Sequence, residues 1–377
     1  DRLVHLVERG DVRREIRPGQ AADGAATQAP SHQTVVVQHR GAVRSHPHVA
    51  LHAGGAQAQR EGERLDGVLG SGGRRPPGGD DADHGAQRRG GPTVTWETAG
   101  ERLVGECVGL VGESGSGKST LSKMILRVTQ PDAGDISSFD GKRMRSVTSL
   151  SGNALKRYRG RVQYVFQDPF ASLNPRMTVE QIVTEPYVIH DLGTPAQRRV
   201  WAEALFELVG LERSMLNRHP NAFSGGQRQR IGIARALALG PDVLVCDEPV
   251  SALDVSVQSQ ILALLDGLRQ DLNVACLFVS HNLAVVRALA SRVFVMCAGR
   301  IVESGPTATL FSEARHPYTI ALLAAHPEPD LDHKLDLSKL MEGRASDPAA
   351  WPEPFRLQPG QIPKYNQVGK DHFVAVA

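Results

Sequence analysis

Long apolar stretches are absent from this chain of 377 residues, and no window approaches the eighteen consecutive apolar residues of a membrane-spanning helix. We therefore expect no transmembrane helix. No charged segment followed by an apolar run predicts a secretory signal either. An excess of charge of one sign is also lacking, since the net charge is +2, and the composition therefore gives no support to a nucleic-acid partner.

Cysteine is scarce, and its positions exclude the usual cysteine chemistries. Each cysteine sits in an apolar run typical of a buried strand, and none has a partner at metal-ligand or redox spacing. We interpret them as buried free thiols of a reducing cytoplasm. They are Cys107, Cys246, Cys276 and Cys297.

The first hundred residues lack the residue types that build a core. They contain no Phe, Tyr or Lys; the first aromatic residue is Trp96, and the first lysine of the chain is Lys118. Only residues 34–37 resemble a strand. Because so little apolar area cannot offset the entropy of ordering, we predict that residues 1–103 are disordered. Our second interpretation is that a shifted reading frame or gene error produced this segment. Metal binding by the scattered histidines is a weaker one, because no pair shows ligand spacing beside a structured element.

From residue 106 onward, short apolar runs alternate with helical patterns, which predicts a doubly wound α/β architecture. A stretch at about 171–238 contains helical patterns only, so we expect an inserted helical subdomain there. The last sixty residues are rich in Pro, Asp and His and predict a loosely packed extension. Expected strands cover 107–111, 162–166, 243–246, 274–279 and 293–297; expected helices cover 121–128, 178–189, 196–209, 227–239 and 257–272.

Residues 112–120 read GESGSGKST, which fits the phosphate-loop pattern G-x-x-x-x-G-K-[ST] directly after the first of these strands. A strand, a glycine turn and a helix start together aim backbone N–H groups and a helix dipole at one anion. Lys118 can reach the β and γ phosphates, and the Ser119 hydroxyl can bind Mg²⁺. A glycine turn without a ligand is the alternative. The candidate nucleotide-binding residues are Gly112, Ser114, Gly115, Ser116, Gly117, Lys118, Ser119 and Thr120.

The strand at 243–246 ends in two acids, at the strand edge where α/β sheets bind ligands. Asp247 would hold Mg²⁺, and Glu248 would accept a proton from an attacking water. Taken alone, the two acids could equally cap a turn, but a phosphate loop in the same chain favours the catalytic interpretation.

Residues 223–230, FSGGQRQR, resemble the signature motif of the ABC ATPases. A serine and two glycines at a helix start make a second anion-binding site. In this family two cassettes pair head to tail, so that the signature of one covers the γ-phosphate held by the other. A glycine linker before a basic helix is the alternative. The resemblance implies nucleotide contacts from Ser224, Gly225, Gly226 and Gln227.

Other positions match the same family. Gln167 resembles the Q-loop glutamine that contacts Mg²⁺ and the attacking water, Asp254 lies in a D-loop-like segment, and His281 resembles the switch histidine at the γ-phosphate. The resemblance implies ATP and Mg²⁺ as cofactors and catalysis by Glu248, His281, Gln167 and Lys118, with Ser119, Gln167 and Asp247 at the metal. The fold it implies is a P-loop NTPase (RecA-like) core at 104–315 with the inserted helical signature subdomain, followed by a C-terminal extension at 316–377.

Three segments are similar to the peptide and nickel importer branch: QDPFASLNPR at 167–176, SALDVSVQ at 251–258 and HPYT at 316–319. This branch implies a peripheral subunit on the cytoplasmic face of a bacterial inner membrane. Its partners would be a second cassette, transmembrane permease subunits and, indirectly, a solute-binding protein, but no nucleic acid. A soluble ABC ATPase of repair or translation and an inactive truncated cassette are the alternatives.

Two features depart from the branch. Some members carry a C-terminal cysteine cluster for an iron–sulfur site, whereas no cysteine follows Cys297 here, so we expect no cluster. The family also has N-terminal antiparallel strands and an aromatic residue that stacks on adenine upstream of the phosphate loop. Residues 76–89, at the matching position, have neither, and Trp96 is too close to Gly112 to replace the aromatic. We therefore expect the antiparallel part to be missing or garbled.

Overall fold

The computed structural model describes residues 35–38, 105–139, 144–325, 344–358 and 361–377. The strands are β1 (Val35–Gln38), β2 (Cys107–Val111), β3 (Asp135–Phe139), β4 (Met144–Ser146), β5 (Val162–Val165), β6 (Val243–Asp247), β7 (Ala275–Ser280), β8 (Arg292–Cys297), β9 (Arg300–Pro306), β10 (Lys364–Gly369) and β11 (His372–Val376). The α-helices are α1 (Lys118–Ile125), α2 (Gly152–Arg161), α3 (Val179–Ile189), α4 (Pro195–Leu208), α5 (Gly225–Leu237), α6 (Val255–Leu272), α7 (Leu283–Leu289), α8 (Thr307–Ser312) and α9 (Pro317–Ala324).

A parallel sheet forms the centre of the fold, with strand order β8-β2-β7-β6-β5. Alternate residues of one strand enter different cores: Leu244 and Cys246 face one hydrophobic cluster, and Val243 and Val245 face the other. Because both faces of β6 are covered, its first four residues, 243–246, are all apolar. The prediction of a P-loop-type α/β core is confirmed.

The segment between β5 and β6 forms α3, α4 and α5, and residues 166–242, all described, contain no strand. Each of the three helices starts with a capping box, in which a serine or threonine hydroxyl accepts from a backbone N–H three residues on and the glutamine there reaches back. The expected helical insertion is therefore present.

A second sheet of three antiparallel strands has the order β1-β3-β4. Val35 lies opposite Ser138, and Gln38 lies opposite Asp135. The strand-like residues of the first hundred therefore form β1. The N-terminal antiparallel part was expected to be missing or garbled, but one of its strands is present among the described residues. The other residues of 1–103, including the histidines and Trp96, lie outside the described residues, and the expectations about them stay predictions.

The sequence did not predict four of the described helices, α2, α7, α8 and α9; of these, α2 covers the end of α1. Its pattern was missed because it is strongly polar, and within it only Tyr158 and Gly160 are buried. The Tyr158 hydroxyl donates to the Ile125 carbonyl oxygen at 2.6 Å, and Arg159 donates to the Leu126 carbonyl oxygen at 3.2 Å. These bonds satisfy carbonyls that the last turn of α1 leaves without an intrahelical partner.

The cysteines are buried and free, as predicted, although three of them lie on adjacent strands, where Cys107 of β2 is opposite Cys276 of β7. The sulfur atoms of Cys246 and Cys276 lie 3.8 Å apart on the adjacent strands β6 and β7. Spacing along the chain concealed this contact, because strand pairing brings together residues that are distant in sequence.

The C-terminal extension is packed, and the expectation of loose packing is wrong for its described residues. Strand β11 pairs with β9 and extends the main sheet, with β10 outside it. Trp351 is 1% exposed, its indole N–H donates to the Ala345 carbonyl oxygen at 2.7 Å, and its ring meets that of His316 edge to face at 4.5 Å. A few large side chains anchor this segment although its composition is polar. Among the described helices, none is long and apolar enough to cross a membrane.

We expect Trp351→Ala to lower the free energy of unfolding by about 3–5 kcal/mol, because it opens a cavity and leaves a carbonyl without its donor. The measurement is chemical unfolding followed by circular dichroism. Val368→Ala, on the half-exposed outer strand β10, is the matched control and should cost well under half as much. Equal losses in the two variants would contradict the packed extension.

Candidate functional site

Four neighbouring parallel strands end at the same edge of the main sheet and carry the predicted site. Val111, the last residue of β2, lies opposite Ser280, and Val279 lies opposite Asp247. The phosphate loop (residues 112–117) therefore emerges beside the acids after β6 and beside His281 after β7. Gln167 follows β5 at the far side of the same edge. Ligands of α/β sheets bind at this edge.

The phosphate loop is seated on the turn between β8 and β9. Gly112 has φ +150°, and a Cβ atom there would overlap the backbone oxygen of Met296. On the other side of the loop, the Gly299 N–H donates to the Ser116 carbonyl oxygen at 2.9 Å. Gly117, with φ +105°, occupies the left-handed N-cap position of α1. Gly112 must therefore be glycine because Met296 lies too close for a side chain, and Gly117 because its backbone conformation favours glycine.

Lys118, the first residue of α1, is buried, and its side chain lies against the loop. Its ammonium donates to the carbonyl oxygens of Gly112 and Glu113, both at 2.8 Å. Burial lowers the pKa of Lys118, and nearby carboxylates, of which Glu248 contributes most, oppose that shift. The hydroxyl of Ser116 is buried and has no hydrogen-bond partner among the described residues. A buried hydroxyl without a partner beside a charged lysine suits a polar ligand.

An oxygen-rich group lies next to the loop. The Ser119 hydroxyl donates to Asp247 Oδ1 at 3.1 Å, and the Tyr164 hydroxyl donates to Asp247 Oδ2 at 2.5 Å. Carboxylate and hydroxyl oxygens are the donors that Mg²⁺ prefers, so these residues fit that ion. Tyr164 was missed by sequence reasoning. Its place in β5 predicts only a side chain on one face of the sheet, and the pairing of β5 with β6 brings it to Asp247.

Two predicted catalytic side chains, Gln167 and His281, contact a third, Glu248. Gln167 Nε2 donates to Glu248 Oε2 at 3.1 Å, and His281 Nδ1 lies 3.2 Å from Glu248 Oε1. Glu248 has φ +47°, a conformation that is uncommon for a residue with a side chain. Its backbone N–H donates to the Val279 carbonyl oxygen at 2.9 Å, which holds this strained residue against β7.

The signature motif and the D-loop form a separate group. Ser224 is the N-cap of α5, and its hydroxyl accepts from the Gln227 N–H at 3.3 Å. A Cβ on Gly226 would overlap the side chain of Val257 in α6, so α6 packs against the signature glycines. Asp254 is exposed at the N-cap of α6, and its side chain makes no capping hydrogen bond. Helix α5 contacts β5, three strands from β2, which is about 14 Å at the usual strand spacing.

Of the other predicted nucleotide contacts, Ser114, Gly115 and Thr120 are exposed, and Gly225 lies partly buried beside Leu253. The Ser116 N–H already donates to the Glu113 carbonyl oxygen at 3.2 Å within the loop. The fold and the loop together define a nucleoside-triphosphate-binding α/β protein.

Comparison with known proteins specifies this class further. Residues 103–251 match the family model described as ABC transporter, and residues 302–353 match the oligopeptide/dipeptide transporter C-terminal region. A putative peptide import ATP-binding protein of Brucella ovis is 47% identical over 281 residues, which cover 72% of this chain and 87% of that protein. The oligopeptide transport ATP-binding protein AppF of Bacillus subtilis is 41% identical over 285 residues, which cover 72% of this chain and 85% of AppF. The chain belongs to the ABC transporter family and is one of its ATP-binding subunits.

Among solved structures, cbiO1 from Clostridium perfringens, part of the ABC transporter complex cbiONQ, is also similar to this chain. It is 29% identical and aligns with a TM-score of 0.49 over 55% of this chain and 80% of its own.

We expect Gly112→Ala to destabilise the nucleotide-free protein by about 1–3 kcal/mol through its overlap with Met296, in addition to about 1–2 kcal/mol of backbone strain. Gly115→Ala is the control, because its φ is +81° but no atom lies within 4 Å of an added Cβ, so it should show the strain alone. Chemical unfolding without nucleotide measures both. Equal losses would mean that the loop is not seated on the β8–β9 turn.

Proposed function

We propose that this chain hydrolyses ATP to drive import of peptides or related small solutes through partner permeases. The observation that supports this most strongly is the contact of Gln167 and His281 with the Glu248 carboxylate at the strand edge that carries the phosphate loop. A carboxylate in a turn would serve as a cap; one held by a glutamine and a histidine is suited to proton transfer.

In the proposed reaction, Lys118 binds the β and γ phosphates of ATP. To do so its ammonium exchanges hydrogen bonds with the Gly112 and Glu113 carbonyls for bonds with phosphate oxygens, while loop N–H groups bind the remaining oxygens. A Glu248 oxygen accepts a proton from the water that attacks the γ-phosphate. His281 and Gln167 orient that carboxylate and, as the family resemblance implies, contact the γ-phosphate and the water.

Mg²⁺ would be held by Ser119, Asp247 and Gln167 and would neutralise charge on the phosphates. Tyr164 fixes the orientation of the Asp247 carboxylate through its hydroxyl. A tyrosine hydroxyl is protonated at neutral pH and can donate, and burial raises the pKa of Tyr164 further. The neutral Tyr164 hydroxyl therefore holds the Asp247 carboxylate in one orientation.

A second cassette completes the site in this proposal. Ser224 and its glycines lie at the start of α5, away from the loop of the same chain, and can serve the phosphate of a partner. Asp254 and its neighbours would lie between the two copies. The cargo class is supported by the names of the relatives and by the match of residues 302–353, a region that also favours transport over a soluble repair or translation role. In this proposal the subunit binds permeases at the cytoplasmic face of the membrane. A solute-binding protein is an indirect partner, through the permeases.

Replacing Glu248 tests the base. We expect Glu248→Gln to lower the rate of phosphate release about 10²–10⁴-fold, because the amide cannot take the proton, while ATP binding persists and ATP-dependent dimers accumulate. Phosphate release and light scattering measure the two effects. Glu313→Gln, at an exposed carboxylate after α8, is the control and should behave as the wild type. Undiminished turnover by Glu248→Gln would remove Glu248 from the base role.

Mixing two inactive variants tests pairing between copies of this chain. Lys118→Ala disables the loop, and Ser224→Arg disables the signature, so each alone should be inactive. In a mixed pair one composite site has an intact loop and an intact signature. We therefore expect an equal mixture to regain about a quarter of wild-type turnover if pairing is random. Failure of the mixture to regain activity would contradict self-pairing.

A further inference from the structure

Glu113, inside the phosphate loop, is held at three points by other parts of the chain. Its backbone N–H donates to the Tyr318 hydroxyl at 2.9 Å, and its carbonyl oxygen accepts from Lys118 at 2.8 Å. Its carboxylate accepts a hydrogen bond from the Ser346 hydroxyl. Tyr318 and Ser346 both belong to the C-terminal extension, so this extension contacts the loop directly.

Tyr318 is itself fixed in place. It is 1% exposed in the first turn of α9, and its backbone N–H donates to His316 Nδ1 at 3.2 Å. The buried Glu303 carboxylate accepts from the backbone N–H groups of Arg315 and His316, at 2.8 and 3.0 Å, and so anchors the start of α9 on β9. The Tyr318 hydroxyl that binds the Glu113 N–H is therefore carried by a helix whose start is anchored on β9.

Ser346 is anchored as well. The Cys297 thiol, at the end of β8, lies 3.6 Å from the Ser346 carbonyl oxygen. The Trp351 indole N–H donates to the carbonyl oxygen of the preceding residue, Ala345, at 2.7 Å. The serine hydroxyl fixes a carboxylate that would repel a triphosphate if it swung toward the bound phosphates.

We propose that Tyr318 and Ser346 are positioning residues for nucleotide binding: they fix Glu113, and through it the carbonyl that holds Lys118, and they keep the Glu113 carboxylate on the C-terminal extension. The inference rests on the proposed function in so far as the ligand of the loop is a nucleotide. The extension then sets the nucleotide affinity of a loop that lies about two hundred residues before it in the sequence.

The first test uses a pair of buried tyrosine hydroxyls. Tyr318→Phe removes the acceptor of the Glu113 N–H. Tyr365→Phe removes a hydroxyl that donates to the Ile301 carbonyl oxygen of β9 at 2.8 Å instead of to the loop, and serves as the control. We expect Tyr318→Phe to raise the dissociation constant of fluorescent ADP with Mg²⁺ about tenfold and to raise KM for ATP while kcat stays within about twofold. Tyr365→Phe should leave both constants within about twofold of wild type.

Hydrogen exchange in the nucleotide-free protein gives a readout that needs no ligand. Tyr318→Phe should speed exchange of the Glu113 amide, and Tyr365→Phe should not. If Tyr318→Phe lowers the melting temperature as the control does, with unchanged exchange and affinity, the positioning role is wrong. A wild-type protein that fails to bind the nucleotide would overturn the proposed function instead, and the exchange result would still decide the contact.

A double-mutant cycle tests Ser346 and the charge of Glu113. Ser346→Ala should weaken nucleotide binding about threefold to tenfold, because it releases the carboxylate. In the Glu113→Gln background the same substitution should change the affinity less than twofold, since the released group is uncharged. Equal effects in both backgrounds would exclude the electrostatic part of the proposal.

Discussion

The alignment of strand ends in the parallel sheet is the constraint on which the site depends. Strands β2, β6 and β7 pair so that Val111, Asp247 and Ser280 finish within one residue of the same level. The loop, the acids and His281 then follow without further adjustment, because each is the next residue or two along its strand. A one-residue slip of β6 would turn Asp247 to the opposite face of the sheet and separate it from Ser119.

Each charged group of the site is hydrogen-bonded to other side chains or to the backbone of the chain. Lys118 is held by two loop carbonyls, Asp247 by two hydroxyls, and Glu248 by Gln167 and His281. A ligand must therefore replace existing bonds, and its net affinity is the difference between new and old contacts. This exchange favours a polyanion, because phosphate oxygens bind an ammonium more strongly than neutral carbonyls do.

The C-terminal extension adds a second level of organisation. Strand β11 and Trp351 make it part of the main body, and Tyr318 and Ser346 bring it to the phosphate loop. Its attachment also explains why Glu303, although buried, is tolerated: the carboxylate is hydrogen-bonded to two backbone N–H groups and to His372 at 2.8 Å. A segment that lies within the match to the oligopeptide/dipeptide transporter C-terminal region thus contacts the phosphate loop.

The sequence by itself determined the parallel core, the helical insertion, the phosphate loop and the identity of the acids, glutamine and histidine, because strand periodicity and glycine spacing are local properties. It missed the helices α2, α7, α8 and α9, of which α2 is mostly polar, and it misjudged the C-terminal extension, where a few large buried side chains outweigh the polar composition. Only the tertiary structure decided which side chains meet. Tyr164 reaches Asp247, Cys246 reaches Cys276, and Tyr318 reaches Glu113 through strand pairing and packing between distant segments, and no local pattern in a chain encodes such contacts.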